Sequence, residues 1–211
     1  MNRMMVLLAA MLMVVGFSGM AHASLSVVGE GTINGGTTDY QLIYDSAQNI
    51  TWFDYTAPRT TWQNQENWAL GLTVNVSGQN ITGWSLPTTV DNAASSNYPP
   101  NPTSSQMAYL YYTDLGNTTS SGLANTGPFK NLKANVYWSG TEYSGDPGNA
   151  WYFFADYGIQ GVNVEGNYYD GLAVLPGNIA TEYGTPTPIP GTVLLFGSGL
   201  AGLVGIKRRL G

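Results

Sequence analysis

The chain has 211 residues, 43% of them hydrophobic and 9% charged, with a formal net charge of −6. It has no cysteine and one histidine, His22, which leaves with the N-terminal segment read below. Disulfide staples, Ser-His-Asp and Cys-His catalysis, ordinary zinc sites and c-type haem are therefore excluded from the mature protein.

The N-terminus has the form of a secretory signal over residues 1–23. Arg3 is its positive start, Met4 to Val15 its apolar core, and Ala21-His22-Ala23 its small-x-small cleavage site. All 13 acidic residues lie between Glu30 and Glu182. Arg59, Lys130 and Lys133 are the only cations between the signal and the C-terminal tail, so the exported stretch, residues 24–187, carries a net charge of −10. Such a surface repels nucleic acid and anionic lipid. The body, residues 24–180, is long enough for one domain with its own core. It is rich in Gly, Asn, Thr, Ser and Tyr, and too aromatic for disorder.

Asp39–Asp45 and Asn49–Tyr55 are predicted strands of a hairpin that turns at Ser46-Ala47-Gln48. Thr60-Thr61-Trp62-Gln63 then opens a helix, with Thr60 as cap and Gln63 three residues on, as in a capping box. Trp62, Trp68, Ala69 and Leu72 give that helix its apolar face. Asn97 to Ser104 is a Pro-rich surface loop. A second helix is predicted from Ser105 to Leu115, capped by Ser104, lined on one side by Met107, Leu110, Tyr111 and Leu115, and ended by Gly116-Asn117. Val136–Tyr143, Ala150–Gly158, Gln160–Gly166 and Tyr169–Gly177 read as strands, separated by turns such as Gly145-Asp146-Pro147-Gly148. Strand, helix, helix, then strands predicts an α+β domain of antiparallel strands with two short helices.

Residues 181–188 form a stiff Pro-rich spacer. The chain then reads Pro188-Ile189-Pro190, an uncharged apolar span over residues 191–206, and Lys207-Arg208-Arg209. A membrane helix needs roughly 17–25 residues, so the span sits at the short edge. The positive-inside rule keeps the three terminal cations cytoplasmic and the body outside.

The tail 188–211 resembles the PEP-CTERM sorting signal, with Ile189 where glutamate stands between the prolines of that motif. The resemblance implies processing by exosortase, a membrane transpeptidase of bacteria that make extracellular polysaccharide. The body resembles the Lcl C-terminal domain family, named for part of a collagen-like bacterial adhesin. The pieces that carry this are Leu42-Ile43-Tyr44-Asp45, Asn49-Ile50-Thr51-Trp52, Thr61-Trp62, Trp84-Ser85-Leu86-Pro87, Met107 to Asn117, and Pro128-Phe129-Lys130-Asn131-Leu132. They continue with Tyr137-Trp138-Ser139-Gly140-Thr141-Glu142-Tyr143, Ala150-Trp151 and Ala173-Val174-Leu175-Pro176-Gly177. Ser85 and Leu175 stand where the family carries arginines. The family implies an architecture related to C-type lectins and formylglycine-generating enzymes, and adhesion to polysaccharide. It supplies no catalytic residues.

Seven carboxylates, Asp54, Glu66, Asp91, Glu142, Asp156, Glu165 and Asp170, are available for a paired-carboxylate glycosidase, although scattered acids usually serve solvation. Calcium is the cation that Glu142, Asp146, Asn149 and Asp156 would suit, against the plainer reading of an acidic turn between strands. Trp52, Trp84 and Trp138 are expected in the core. Tyr111, Tyr112, Tyr168 and Tyr169 are the candidate ligand platform. The chain thus reads as an exported, exosortase-sorted envelope or matrix protein and a non-enzymatic polysaccharide-binding module. Its expected partners are signal peptidase, the sorting enzyme, the inner membrane before processing, and extracellular polysaccharide. The alternatives are a structural matrix protein without a specific ligand, or a carboxylate-dependent glycosidase.

Overall fold

Ile50-Thr51-Trp52-Phe53 is buried residue after residue, the pattern of a strand covered on both faces. The computed structural model, which describes residues 25–180, builds the fold around that strand. The signal with Ala21 and Ala23, the spacer, the apolar span, and Pro188, Ile189, Pro190, Lys207, Arg208 and Arg209 lie outside the described residues. Among the described residues no helix is long and apolar enough to cross a membrane.

Among the described residues nine strands form one sheet. They are β1 (Leu25–Ile33), β2 (Asp39–Asp45), β3 (Ile50–Thr60), β4 (Val74–Val76), β5 (Gln79–Ile81), β6 (Val136–Glu142), β7 (Asn149–Phe154), β8 (Ile159–Val164) and β9 (Tyr169–Pro176). Their order across the sheet is β5-β4-β1-β2-β3-β9-β6-β7-β8. Neighbours are antiparallel except β6 and β9, which meet in parallel at Tyr137 and Asp170. With two short α-helices, α1 (Trp62–Gly71) and α2 (Gln106–Tyr109), the architecture is α+β-like and mostly antiparallel.

The two faces of the sheet carry separate cores. Ile43, Ile50, Trp52, Leu172 and Val174 face Met107, Leu110, Tyr111, Leu115, Phe129 and Leu132. Leu42, Phe53, Ala173 and Leu175, one residue out of phase, face Leu72, Val74, Val76, Ile81 and Trp84, as strand alternation requires. A third cluster joins Ala69 of α1 to Leu86, Trp138 and Ala150. Trp52, Trp84 and Trp138 are all at 0% exposure, as expected from their segments.

Three local expectations are corrected. The capping box does not form: Thr60 ends β3, Thr61 is the N-cap, and no side chain caps α1. Tertiary bonds fix the helix start instead, with Trp62 donating its backbone N–H to Glu165 O at 2.9 Å and its indole N–H to Ser139 O at 2.8 Å. The second helical segment is capped by Ser105 rather than Ser104, and changes at Leu110 into a π-turn, Leu110–Asp114. Its buried residues are nonetheless the expected Met107, Leu110 and Tyr111, together with Ala108, and Leu115 lies just beyond. Two elements are additional to the sequence reading. Strand β1 is half-buried with little alternation. The β4–β5 hairpin turns through Ser77 and Gly78 at φ +52° and +88°, the left-handed pair that tight hairpins need.

Candidate functional site

The segment from Thr88 to Tyr109 is long, polar and mostly irregular, and its backbone groups are satisfied locally. Asn92 caps the 3₁₀ turn Ala93–Ser96 and Asn101 caps the 3₁₀ turn Pro102–Ser104, each side chain accepting a backbone N–H. The segment folds back on itself. Val90 N donates to Ser104 O at 2.7 Å, Gln106 N to Thr88 O at 3.0 Å, and Thr88 N to Gln106 Oε1 at 2.8 Å. Thr89 N reaches Thr141 Oγ1 on β6 at 3.0 Å, tying the loop to the sheet.

Between this segment and the β2–β3 turn lies an open cleft of about 360 Å³. It is lined by Thr88, Thr89, Thr103, Ser104 and Ser105 and by Gln48 and Gln106. Tyr109 adds a ring, and Ala47 and Val90 add small apolar patches. No charged side chain lines it. The Thr88 and Tyr109 side chains are partly or fully accessible. A smaller furrow of about 170 Å³, lined by Asn92, Ser95 and Asn101 among others, continues it past Val90, Thr103 and Ser104. Below that furrow lies Gln160, 2% exposed. Its Nε2 donates to Ser95 O at 2.8 Å and Ser104 Oγ at 3.2 Å, while its Oε1 has no partner. The arrangement offers uncharged donors and acceptors and one aromatic ring, which suits a hydroxyl-rich neutral ligand.

The tyrosines expected to form a platform are not one surface. Tyr111 is 2% exposed. Its hydroxyl donates to Thr118 O at 3.0 Å and Gly122 O at 2.8 Å. Tyr112 is half-buried and donates to Gly158 O at 2.6 Å. Tyr169 lies against Trp138 with ring centroids 4.5 Å apart, and its hydroxyl accepts from Asn163 Nδ2 at 2.7 Å. Tyr168 alone of the four is well exposed, at 65%. Tyr111 and Tyr112 belong to the helical side of the sheet, and Tyr169 packs with the α1 cluster. The expectation that adjacent tyrosines would expose one member fails at 111–112 because both lie on a π-turn packed against the core, not on a strand.

The four residues suited to calcium do not converge. Asp146 precedes β7 and Asp156 follows it, so the length of the strand separates them, about 20 Å at 3.3 Å per residue. Asn149 is turned to Asp146 O at 3.2 Å. Among the described residues no three His, Cys, Asp or Glu side chains are grouped as a metal would need.

The remaining buried acids are structural pins. Asp54, at 0% exposure, accepts the backbone N–H groups of Lys130 at 2.8 Å and Asn131 at 3.0 Å. Burial raises its pKa, and these bonds oppose the rise. Asp170 accepts from Asn135 Nδ2 at 2.5 Å and pairs with Arg59 Nε at 3.7 Å. Burial raises it too, against Asn135, Arg59 and Lys133. All three cations of the body therefore stand around one loop, but they answer Asp54 and Asp170 beneath it. Asp91, held below its ordinary pKa by Ser144 and Trp151, ties the loop to β7 through Trp151 Nε1 at 2.9 Å. Glu66 is raised by burial, and Glu165 by burial and by Glu142.

The sequence reading passed over the cleft because its residues are ordinary loop residues. The Asx caps at Asn92 and Asn101 were the available signal that this stretch is ordered. Compared with family models, curated proteins and solved structures, the chain matches none.

Proposed function

We propose that the protein is an exported cell-envelope or matrix protein that binds polysaccharide without catalysing a reaction, and that the cleft beside Tyr109 is its sugar contact. One observation carries this reading: the cleft is lined by Thr, Ser and Gln residues and by Tyr109, with no charged residue. Sugar rings present hydroxyls to such donors and acceptors and apolar faces to aromatic rings. The net charge of −10 over residues 24–187 disfavours polyanionic chains, so neutral or basic glycans are the ligand class.

The sequence supports the address. Signal peptidase cuts after Ala23, the span 191–206 holds the protein in the inner membrane, and an exosortase-type enzyme releases it at the tail. The body then stands at the cell surface or in the matrix. The resemblance to the Lcl C-terminal domain, and through it to a C-type-lectin-like architecture, supports adhesion. The cleft lining includes no carboxylate, so it lends no support to a glycosidase.

The test is incubation of the purified protein with the producer's own polysaccharide, with retention and reducing-end release both measured. Retention without release is expected. Tyr109→Ala should weaken retention about tenfold, equivalent to about 1.4 kcal/mol. Release that disappears on mutating one carboxylate would make the protein an enzyme. Neither retention nor release would leave a structural matrix protein.

A further inference from the structure

Asp45 closes β2 and is fully buried. Its carboxylate accepts four N–H groups. Oδ1 takes the backbone N–H of Ala47 and Gln48, both at 3.1 Å, and Oδ2 takes Gln48 Nε2 at 2.7 Å and Trp52 Nε1 at 3.5 Å. Asp114, the last residue of the π-turn, faces it. Both Asp114 oxygens are shut off from solvent, and neither meets an N–H or O–H donor. Two carboxylates in contact away from water repel each other, whereas one proton turns the contact into a hydrogen bond. Asp45 has four donors and Asp114 has none, so the proton belongs on Asp114.

Among the described residues no cation offsets the pair. Arg59, Lys130 and Lys133 stand around Asp54 and Asp170 instead. Of the other titratable groups on the same segments, Tyr44 bonds Asn49 Oδ1, while Tyr111 and Tyr112 bond backbone carbonyls. Tyr109 lines the cleft. Asp156, from the β7–β8 turn, acts on Tyr111.

Gln48 links the pair to the cleft. Its Nε2 donates both to Asp45 Oδ2 and to Gln106 O, the latter at 3.2 Å. Gln48 and Gln106 form part of the cleft wall. We propose that Asp45 and Asp114 share one proton as a clasp between the β2–β3 turn and the second helical segment, and that losing it releases the Gln48 wall and weakens binding in the cleft. Burial, with Asp45 alongside, pushes Asp114 up to about 8, so the clasp opens on the mildly alkaline side. What the cleft holds rests on the polysaccharide reading; the clasp itself does not.

The experiment follows the side-chain amide of Gln48 and the indole N–H of Trp52 by NMR in the full chain, from about pH 5 to about pH 9.5, across the Asp114 transition. Both signals should titrate together near 8, and neither should move in Asp114→Asn, which keeps the position uncharged. In parallel, binding to a soluble neutral β-glucan should fall several-fold over the same range in the wild type and stay level in the variant. A Gln48 amide that does not move in the wild type overturns the clasp, whatever the variant does. Titration with binding that ignores pH overturns the coupling to the cleft. Titration with no glucan binding at any pH leaves the clasp standing and counts against the polysaccharide reading.

Discussion

Trp138 illustrates how one residue serves packing rather than recognition. It is at 0% exposure, donates its indole N–H to Thr60 O at 3.2 Å and lies against Tyr169. Removing the ring leaves a cavity and an unpaired carbonyl. Trp138→Ala should cost about 3–5 kcal/mol, read as a lower denaturation midpoint with unchanged slope. A loss below about 1 kcal/mol would return Trp138 to the list of ligand candidates. The contrast with the tyrosines is instructive. Residue type alone made Tyr111 a platform candidate, but its hydroxyl is taken by Thr118 and Gly122 carbonyls inside the fold. Those partners lie 7 and 11 residues further along the chain, beyond what local pattern reports.

At the level of elements, α1 shows a helix held by tertiary bonds more than by its own sequence. Its fully buried members are Gln65 and Ala69. Gln65 Nε2 bridges Pro58 O at 2.8 Å and Tyr169 O at 3.0 Å, joining β3 to β9. This bridge needs glycine at position 171. A Cβ there would collide with the Gln65 amide and come within 3.0 Å of the Trp68 ring. Gly171→Ala should therefore destabilise the protein by about 1–3 kcal/mol, measured by thermal or chemical unfolding. An unchanged midpoint would mean that α1 can shift away from β9 at little cost. Strands β2, β3 and β6 to β9 were legible as strands because apolar runs and turn residues alternate along the chain. The β4–β5 hairpin was not read, because three-residue strands give too short a pattern, although Ser77-Gly78 marked its turn.

For the whole molecule, the buried acids set how stability depends on pH. Burial raises Asp54, Glu66, Asp114 and Asp170, with Asp114 near 8. In the unfolded chain each returns to about 4. Above that value the folded state holds more protons than the unfolded state, so stability falls as pH rises. The decline should begin above about pH 4 and be complete once Asp114 has ionised, past about pH 8. Asp91, held low by Ser144 and Trp151, acts in the opposite sense, but only below about pH 4. Melting temperatures across this range check the sign, and a midpoint that rises between about pH 5 and about pH 8 would contradict it. A separate expectation concerns the address. Cell fractionation with and without residues 188–211 should show membrane retention of the intact chain and its loss in the truncated one. Intact protein that stays in the cytoplasm would remove the export reading.

The sequence alone determined what chemistry is absent and how the segments are patterned. The single histidine at position 22, the lack of cysteine and the excess of acids are properties of composition. Strands β2, β3 and β6 to β9 and the two helical stretches follow from local apolar periodicity, which short-range sterics and burial enforce. Only the tertiary structure decided that Thr88 to Tyr109 meets the β2–β3 turn to make an uncharged cleft, and that Asp45 meets Asp114 beside it. It also decided that Asp156 stands a strand's length away from Asp146, so the four calcium candidates do not converge. The reason is physical. Each of these depends on which distant segments the sheet order brings together, and burial changes a carboxylate's behaviour only once its neighbours are in place.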